Sequence, residues 1–403
     1  MTPADSLIYD GTSNALIRHK NVLFLTYQIA DLQDDASSDR LRSSLSSALA
    51  QAQASASTTP GPSASQSLAS SLLAADSPLQ PGGPAGLAFA RTLEVPYGVI
   101  LEDVALRWYG WANSFGGSDA APVGGFQRFI EAVLADAQLH GADVRLGALV
   151  SAVAQTPAGV TVRTGSSTDE AKCVICTIPL GVLQHTAGGL FDPPLPTRRM
   201  ATIAGTHVGV LEKLVLSYPS AWWPQAATAG SFTFLPASSG ADKRAASGPA
   251  EEAKRALEEH TISVASFAAP SFATQHPTLL FYLSPSPALA LARFSEADAA
   301  RGAHAFLVAR FGVEATSAPE PLASAMTEWH KDPLARGATS APSGLGEERG
   351  PLDFVELGKP LWGGALCFAG EHTDADHRGS VAGAVISGLR EAERVHLYLQ
   401  RDL

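Results

Sequence analysis

Cysteine is scarce: three in 403 residues, too few for a disulfide framework, which points to a reducing compartment. Cys173-Val-Ile-Cys176 matches C-x-x-C by letter only. It lies in an apolar stretch that reads as a strand, whose period of two sends positions three apart to opposite faces and excludes a redox or zinc pair. Long apolar runs are absent too, since nothing reaches the ~20 residues that cross a bilayer. Met1 is followed by neither a basic nor an apolar signal region. A soluble, cytoplasmic protein is the expectation. Positive charge is outnumbered, 28 Lys and Arg against 39 Asp and Glu, giving a net charge of −11. That balance argues against a nucleic-acid-binding surface. What is there is a 45% hydrophobic composition over a length that accommodates two domains around substantial cores.

Residues from Asp34 to Gly86 are dominated by Ser, Ala, Gln, Gly and Pro. Leu41 to Ala54 reads as an alanine-rich helix and Ser55 to Gln66 as a mobile insertion. Order resumes at Leu101 to Tyr109, and Pro122-Val123-Gly124-Gly125-Phe126 leads into a helix through His140. Strands are predicted over Val144 to Val153, Gly159 to Thr164 and Lys172 to Pro179.

Two stretches carry chemistry. From Gly209 to Tyr218, alternation puts Leu211, Lys213 and Val215 on one face and Val210, Glu212, Leu214 and Leu216 on the other, both apolar around a lone lysine. A lysine is almost never fully buried without a partner, so Lys213 pairs with a carboxylate, snorkels out at a sheet edge, or works. Near the C-terminus, Leu366 to Ala369 is the apolar run of a strand buried on both faces. Gly370 then permits close backbone approach, and Glu371 sets a carboxylate at the strand's carboxyl end, where open α/β sheets bind ligands. Beyond the loop, Ser380 reads as an N-cap, with Val381, Ala384, Val385, Gly388, Leu389 and Ala392 at helical spacing. Gly383 and Gly388 each cost roughly 1 kcal/mol against alanine inside that helix, so close packing against its backbone is expected. His372, Asp374, Asp376 and His377 lack a recognised ligand spacing; a solvated loop explains them, and no metal site is predicted.

Phe368-Ala369-Gly370-Glu371-His372-Thr373 with its helix resembles the C-terminal FAD-binding signature of the flavin-containing amine oxidases. That family includes monoamine oxidases, polyamine oxidases and lysine-specific histone demethylases, and the wording here is most similar to the polyamine oxidase and demethylase branch. Glu212-Lys213-Leu214 with the downstream Trp222-Trp223-Pro224 resembles the family's lysine strand. Trp329 to Gly337 resembles its tryptophan, Asp-Pro and Arg-Gly segment, and Val174 to Leu183 its strand returning to the cofactor.

The resemblance implies an α/β protein with an α+β substrate domain, in the two-domain flavin amine oxidase fold. Residues 1–117 and 207–341 would form the substrate domain; 118–206 and 342–403 would form the FAD-binding part. It further implies that Glu371 binds the ribityl chain of FAD, that Gly370 lies against the cofactor, and that the backbone at Ser380 and Val381 meets the pyrimidine end. Val150 would meet the adenine, Trp329 would stand beside the flavin, and Lys213 would hold a water against N5. Thr339 and Ala341 fall where tyrosines are common, implying a substrate cage without an aromatic wall there. The implied activity is oxidation of an amine or polyamine by hydride transfer to flavin N5, giving an imine, then an aldehyde, with molecular oxygen reduced to hydrogen peroxide.

One element of the family pattern is missing. Nothing in this sequence supplies the G-x-G-x-x-G turn and the acidic residue about 20 positions later, in a ~30-residue βαβ unit, that grip the ADP half of FAD. Gly82-Gly83-Pro84-Ala85-Gly86 has no strand before it and is no substitute. The Rossmann-like domain is therefore expected to be incomplete and FAD binding weakened. A binding or scaffold protein on a decayed oxidase fold is the alternative.

Overall fold

The computed structural model describes residues 5–9, 16–20, 36–111, 122, 125–165, 167–224, 229–237, 248–269, 274–341, 345–346 and 349–400. The predicted boundary at 117–118 and the Val123-Gly124 step lie outside them. Strands run in chain order: β1 (Asp5–Tyr9), β2 (Leu16–Lys20), β3 (Val150–Thr156), β4 (Gly159–Thr164), β5 (Thr168–Ala171), β6 (Val174–Cys176) and β7 (Phe191–Asp192). Then follow β8 (His207–Val208), β9 (Glu212–Ser217), β10 (Ala229–Phe234), β11 (Ile262–Ser266) and β12 (Thr278–Leu283). Last come β13 (Ala323–Met326), β14 (Ser340–Ala341) and β15 (Leu366–Phe368).

The largest sheet has seven strands in the order β13-β9-β12-β11-β10-β1-β2. β11 sits in its middle with every residue buried, as an interior strand rich in β-branched side chains should. Register aligns Val264 with Phe281 and Phe281 with Leu214, three fully buried side chains in a row across the sheet. Helices Pro249–Glu258 and Glu296–Phe311 cover this face, and Phe306 and Phe311 meet Phe232 and Phe234 edge to face. The longer helix is closed at both ends. Ser295 Oγ accepts the Asp298 N–H at 3.1 Å, and Gly312 at φ 63° terminates it in the left-handed region.

The alanine-rich stretch forms the helix Ala36–Ala56, which buries Leu41, Leu45, Ala48 and Ala52 against Leu68, Leu72, Phe89, Leu101 and Val104 in a second core. The mobile insertion predicted over Ser55 to Gln66 is instead a hydrogen-bonded turn region. Thr58 Oγ1 donates to Ser55 O at 2.8 Å, Ser63 N donates to Gln66 Oε1 at 2.7 Å, and Ala64 is buried. Low-complexity composition conceals a stripe of small apolar residues at helical spacing, which is enough to pack.

A four-stranded sheet, β5-β4-β3-β7, a parallel pair, β6 with β15, and an antiparallel pair, β14 with β8, form the rest among the described residues. The first predicted strand there starts late: Gly147 turns the chain at φ 68°, so β3 begins only at Val150. The C-terminal helix Val381–Gln400 corrects the sequence reading more deeply. Its buried residues are Gly383, Ser387 and Glu391, whereas Val381, Val385 and Leu389 are exposed, Leu389 by 67%. Gly383 is packed as expected, since an added Cβ would lie 2.3 Å from His377 O; Gly388 meets nothing among the described residues. Helix Gly125–Leu139 likewise exposes Phe126, Phe129, Ile130 and Val133 on one face.

Two kinds of hydrophobic residue therefore coexist. Phe281→Ala should cost about 3–5 kcal/mol through the cavity it leaves. Ile130→Ser and Leu389→Ser should stay within about 0.5 kcal/mol of the parent while lowering binding of an apolar-surface dye. Urea unfolding and dye fluorescence measure both, and a large loss from Leu389→Ser would contradict the outward face.

Candidate functional site

β15 delivers the site. Leu366, Cys367 and Phe368 are buried in parallel register with Val174, Ile175 and Cys176. The chain then leaves the sheet through Gly370 at φ 144°, where an added Cβ would lie 2.6 Å from the His372 ring. Half-buried Glu371 uses one oxygen twice: Oε2 accepts the Ser340 hydroxyl at 2.6 Å and the Gly379 N–H at 2.5 Å. Its Oε1 faces no donor among the described residues. Ser340 O in turn accepts Arg378 at 2.7 Å. Ser380 caps the C-terminal helix, its Oγ accepting the Gly383 N–H at 3.0 Å. The first-turn N–H groups of that helix, with its positive dipole end, stand beside Glu371's loop.

A main-chain run connects this carboxylate to the lysine strand. Thr339 O accepts Gly209 N at 2.6 Å, Gly209 O accepts Ala338 N at 3.0 Å, and Gly98 O accepts Val210 N at 2.7 Å. Gly209 is obligatory there, because an added Cβ would sit 2.8 Å from Gly98 O. Two residues past Leu211, β9 splits by face: Glu212, Leu214 and Leu216 are buried, and Lys213 is exposed on the other side. Lys213 has no carboxylate partner among the described residues; its Nζ lies 5.9 Å from the centre of the Tyr282 ring. Trp329 is 45% exposed beside an open cleft of about 410 Å³, and its carbonyl accepts Gly337 N at 3.0 Å. Val150, half-buried at the start of β3 opposite Thr164, packs against the core that holds Cys176, Leu366 and Phe368.

The cage positions are placed differently from the sequence reading. Ala341 is 1% exposed and packed in the second core, leaving no room for a tyrosine. Thr339 is wedged between Gly98 and Gly379, with its Oγ1 in the space a Gly379 side chain would need. Sequence reasoning missed Ser340 and Gly379, which hold Glu371, and Arg378, which holds the Ser340 carbonyl. No spacing signals them, because their partner is 31 residues away from Ser340. Burial pushes the Cys176 thiol up to about 11 and Cys367 up to about 12, which leaves both as inert thiols.

Burial also holds His372 well below its ordinary value, at about 4. The folded chain keeps this ring neutral while the unfolded chain protonates it near pH 6.5. Between those values the unfolded state binds more protons, so stability falls as pH falls, by up to about 1.4 kcal/mol per pH unit. Half-buried His207 and buried His304 lean the same way, each lowered by burial. His372→Gln should flatten the dependence of the urea midpoint between pH 6.5 and 4; identical slopes in both proteins would refute it.

Residues 97–396 match the family described as flavin containing amine oxidoreductase. The chain belongs to that family. It is 29% identical over 317 residues to lysine-specific histone demethylase 1 homolog 3 of Arabidopsis thaliana, covering 76% of this chain and 18% of that protein. It is 26% identical to polyamine oxidase 4 of Oryza sativa subsp. japonica, covering 77% of this chain and 56% of the relative. The chain thus spans little more than half, or less, of these curated relatives. Its fold is that of cyclohexylamine oxidase from Brevibacterium oxydans, with a TM-score of 0.67 at 17% identity, covering 99% of this chain and 82% of that one. A redesigned putrescine oxidase gives a TM-score of 0.64 at 18% identity, covering 98% and 81%. These likenesses support for this chain the mixed α/β flavin amine oxidase fold that the resemblance implies. No helix among the described residues is long and apolar enough to cross a membrane.

Proposed function

We propose that this fold carries out FAD-dependent oxidation of an amine or polyamine. The observation that carries the reading is the single hydrogen-bonded run from Glu371 and the Ser380 helix start to the exposed Lys213 and Trp329. The residues fit the ribityl and pyrimidine end of the cofactor. Glu371 keeps Oε1 open to a ribityl hydroxyl, Gly370 leaves no side chain in the way, and N–H groups at Ser380 and Val381 favour negative charge at the N1–C2=O edge. Val150 is assigned to the adenine and Trp329 to the wall beside the ring system. FAD, when bound, supplies the hydride acceptor and is reoxidised by oxygen to give peroxide.

Within that arrangement Lys213 is assigned the positioning of a water and the movement of its proton near N5. Its free Nζ, without a carboxylate partner among the described residues, supports the assignment. Thr339 is the remaining cage candidate, reaching the site through its contact with Gly379. With FAD supplied in excess, Lys213→Met should retain the fold and slow flavin reduction by amine, since a geometric and proton-handling group is lost. Anaerobic stopped-flow with unchanged reduction kinetics would return Lys213 to an ordinary surface lysine.

A second reading is a non-catalytic binding protein built on the same fold. The 403 residues by themselves contain no G-x-G-x-x-G turn, and going without such charge-assisted contacts, at about 1.5–3 kcal/mol each, weakens FAD by several orders of magnitude. These 403 residues expressed alone are therefore expected to purify largely colourless. Near-stoichiometric FAD released after gel filtration would overturn that expectation, and amine-dependent peroxide release at saturating FAD separates the oxidase from the binding protein.

A further inference from the structure

Glu212 precedes Lys213 and points to the opposite side of β9, where it is fully buried. Carboxylates are almost never fully buried unless paired. This one is enclosed by donors from a single short segment. Oε2 accepts the Thr327 hydroxyl at 2.6 Å; Oε1 accepts the His330 N–H at 3.0 Å and lies 2.8 Å from His330 Nδ1. Because a carboxylate only accepts, Nδ1 carries the proton in that contact. The Thr327 oxygen also accepts the Lys213 N–H at 2.8 Å, and Thr327 N donates to Lys213 O at 2.9 Å. One carboxylate therefore fixes both the peptide groups of Lys213 and the segment containing Trp329. Lys331 pins the segment's far side, donating to Ala292 O at 2.8 Å.

We propose that Glu212, with Thr327 and His330, is a positioning group for the reaction assigned to this site. It touches neither substrate nor cofactor. It holds the backbone of Lys213 and the segment bearing Trp329 in fixed relation from behind the sheet, so that the lysine's amine and the indole keep one geometry relative to each other. The inference rests on the proposed oxidase reading. A buried charge in a hydrogen-bonded network is strongly destabilised by loss of a partner, so a merely structural role would show in stability alone. A positioning role requires more: its loss must act through Lys213.

The test uses the full chain with FAD in excess and the substitutions Glu212→Gln and His330→Ala, each also combined with Lys213→Met. Amide hydrogen exchange is read at Lys213, Thr327 and His330 against the β11 amides, alongside the rate of flavin reduction by amine. Glu212→Gln should speed exchange at those three amides by about tenfold, the size of one lost charge-assisted hydrogen bond, and leave β11 unchanged. Reduction should slow by about tenfold in the parent background and show no further loss on top of Lys213→Met, since groups acting as one unit are not additive. If Glu212→Gln does not fold, His330→Ala carries the same test, because it keeps the His330 N–H and removes only the ring contact. Unaltered local exchange, or equal losses with and without Lys213, overturns the inference while leaving the oxidase reading intact. A parent chain that no amine can reduce at saturating FAD sinks the proposed function and the inference together.

Discussion

The junction at Glu371 is the constraint on which the site depends. One carboxylate oxygen accepts a hydroxyl from β14 and a backbone N–H from the loop before the C-terminal helix, so β14 and both ends of the loop that follows β15 meet at a single atom. Charge-assisted hydrogen bonds of this kind are short and about twice as strong as neutral ones. Arg378 adds a second tie between the same loop and Ser340 O. Remove the carboxylate and the helix start, β14 and the end of β15 lose their common reference.

The C-terminal helix shows how polar burial can overrule hydrophobic periodicity. Glu391, fully buried, is held by Arg390 Nε at 2.6 Å and by Arg394 at 2.7 Å, while Ser387 Oγ accepts the Gly370 N–H at 2.9 Å. Arg390 also donates to Thr373 O at 2.8 Å. These contacts orient the helix by its polar side against the Gly370 to Thr373 loop. Satisfied buried networks of this kind specify geometry even where they add little net stability. The apolar side, with Val381, Val385 and Leu389, is left outward.

Legibility followed locality. The β15 run, the Ser380 cap, the alternation of β9 and the helix through His140 are encoded within a few residues, and each was readable from composition or period. The inward face of the C-terminal helix was not, because burial of Ser387 and Glu391 is decided by Gly370 and two arginines and not by hydrophobicity. Ala341 was misplaced for a related reason: alignment assigns a position but not a direction, and this side chain turns into the second core. The Ser55 to Gln66 turns were hidden by composition. Thr58 and Gln66 there supply side-chain hydrogen bonds that close the turns.

The pairing of Glu212 with Lys213 uses the period of a strand as a mechanical device. Adjacent residues point to opposite faces, so a group that must be rigid and a group that must be accessible can be neighbours in sequence without sharing an environment. Behind the sheet, Glu212 exchanges water for Thr327 and His330 and becomes immobile. In front, Lys213 keeps its solvated ammonium and its long stem. A helix could not separate the two so cleanly, since residues one apart lie about 100° around its axis and not 180°. Anchoring through the backbone also leaves the lysine side chain without an ion pair among the described residues.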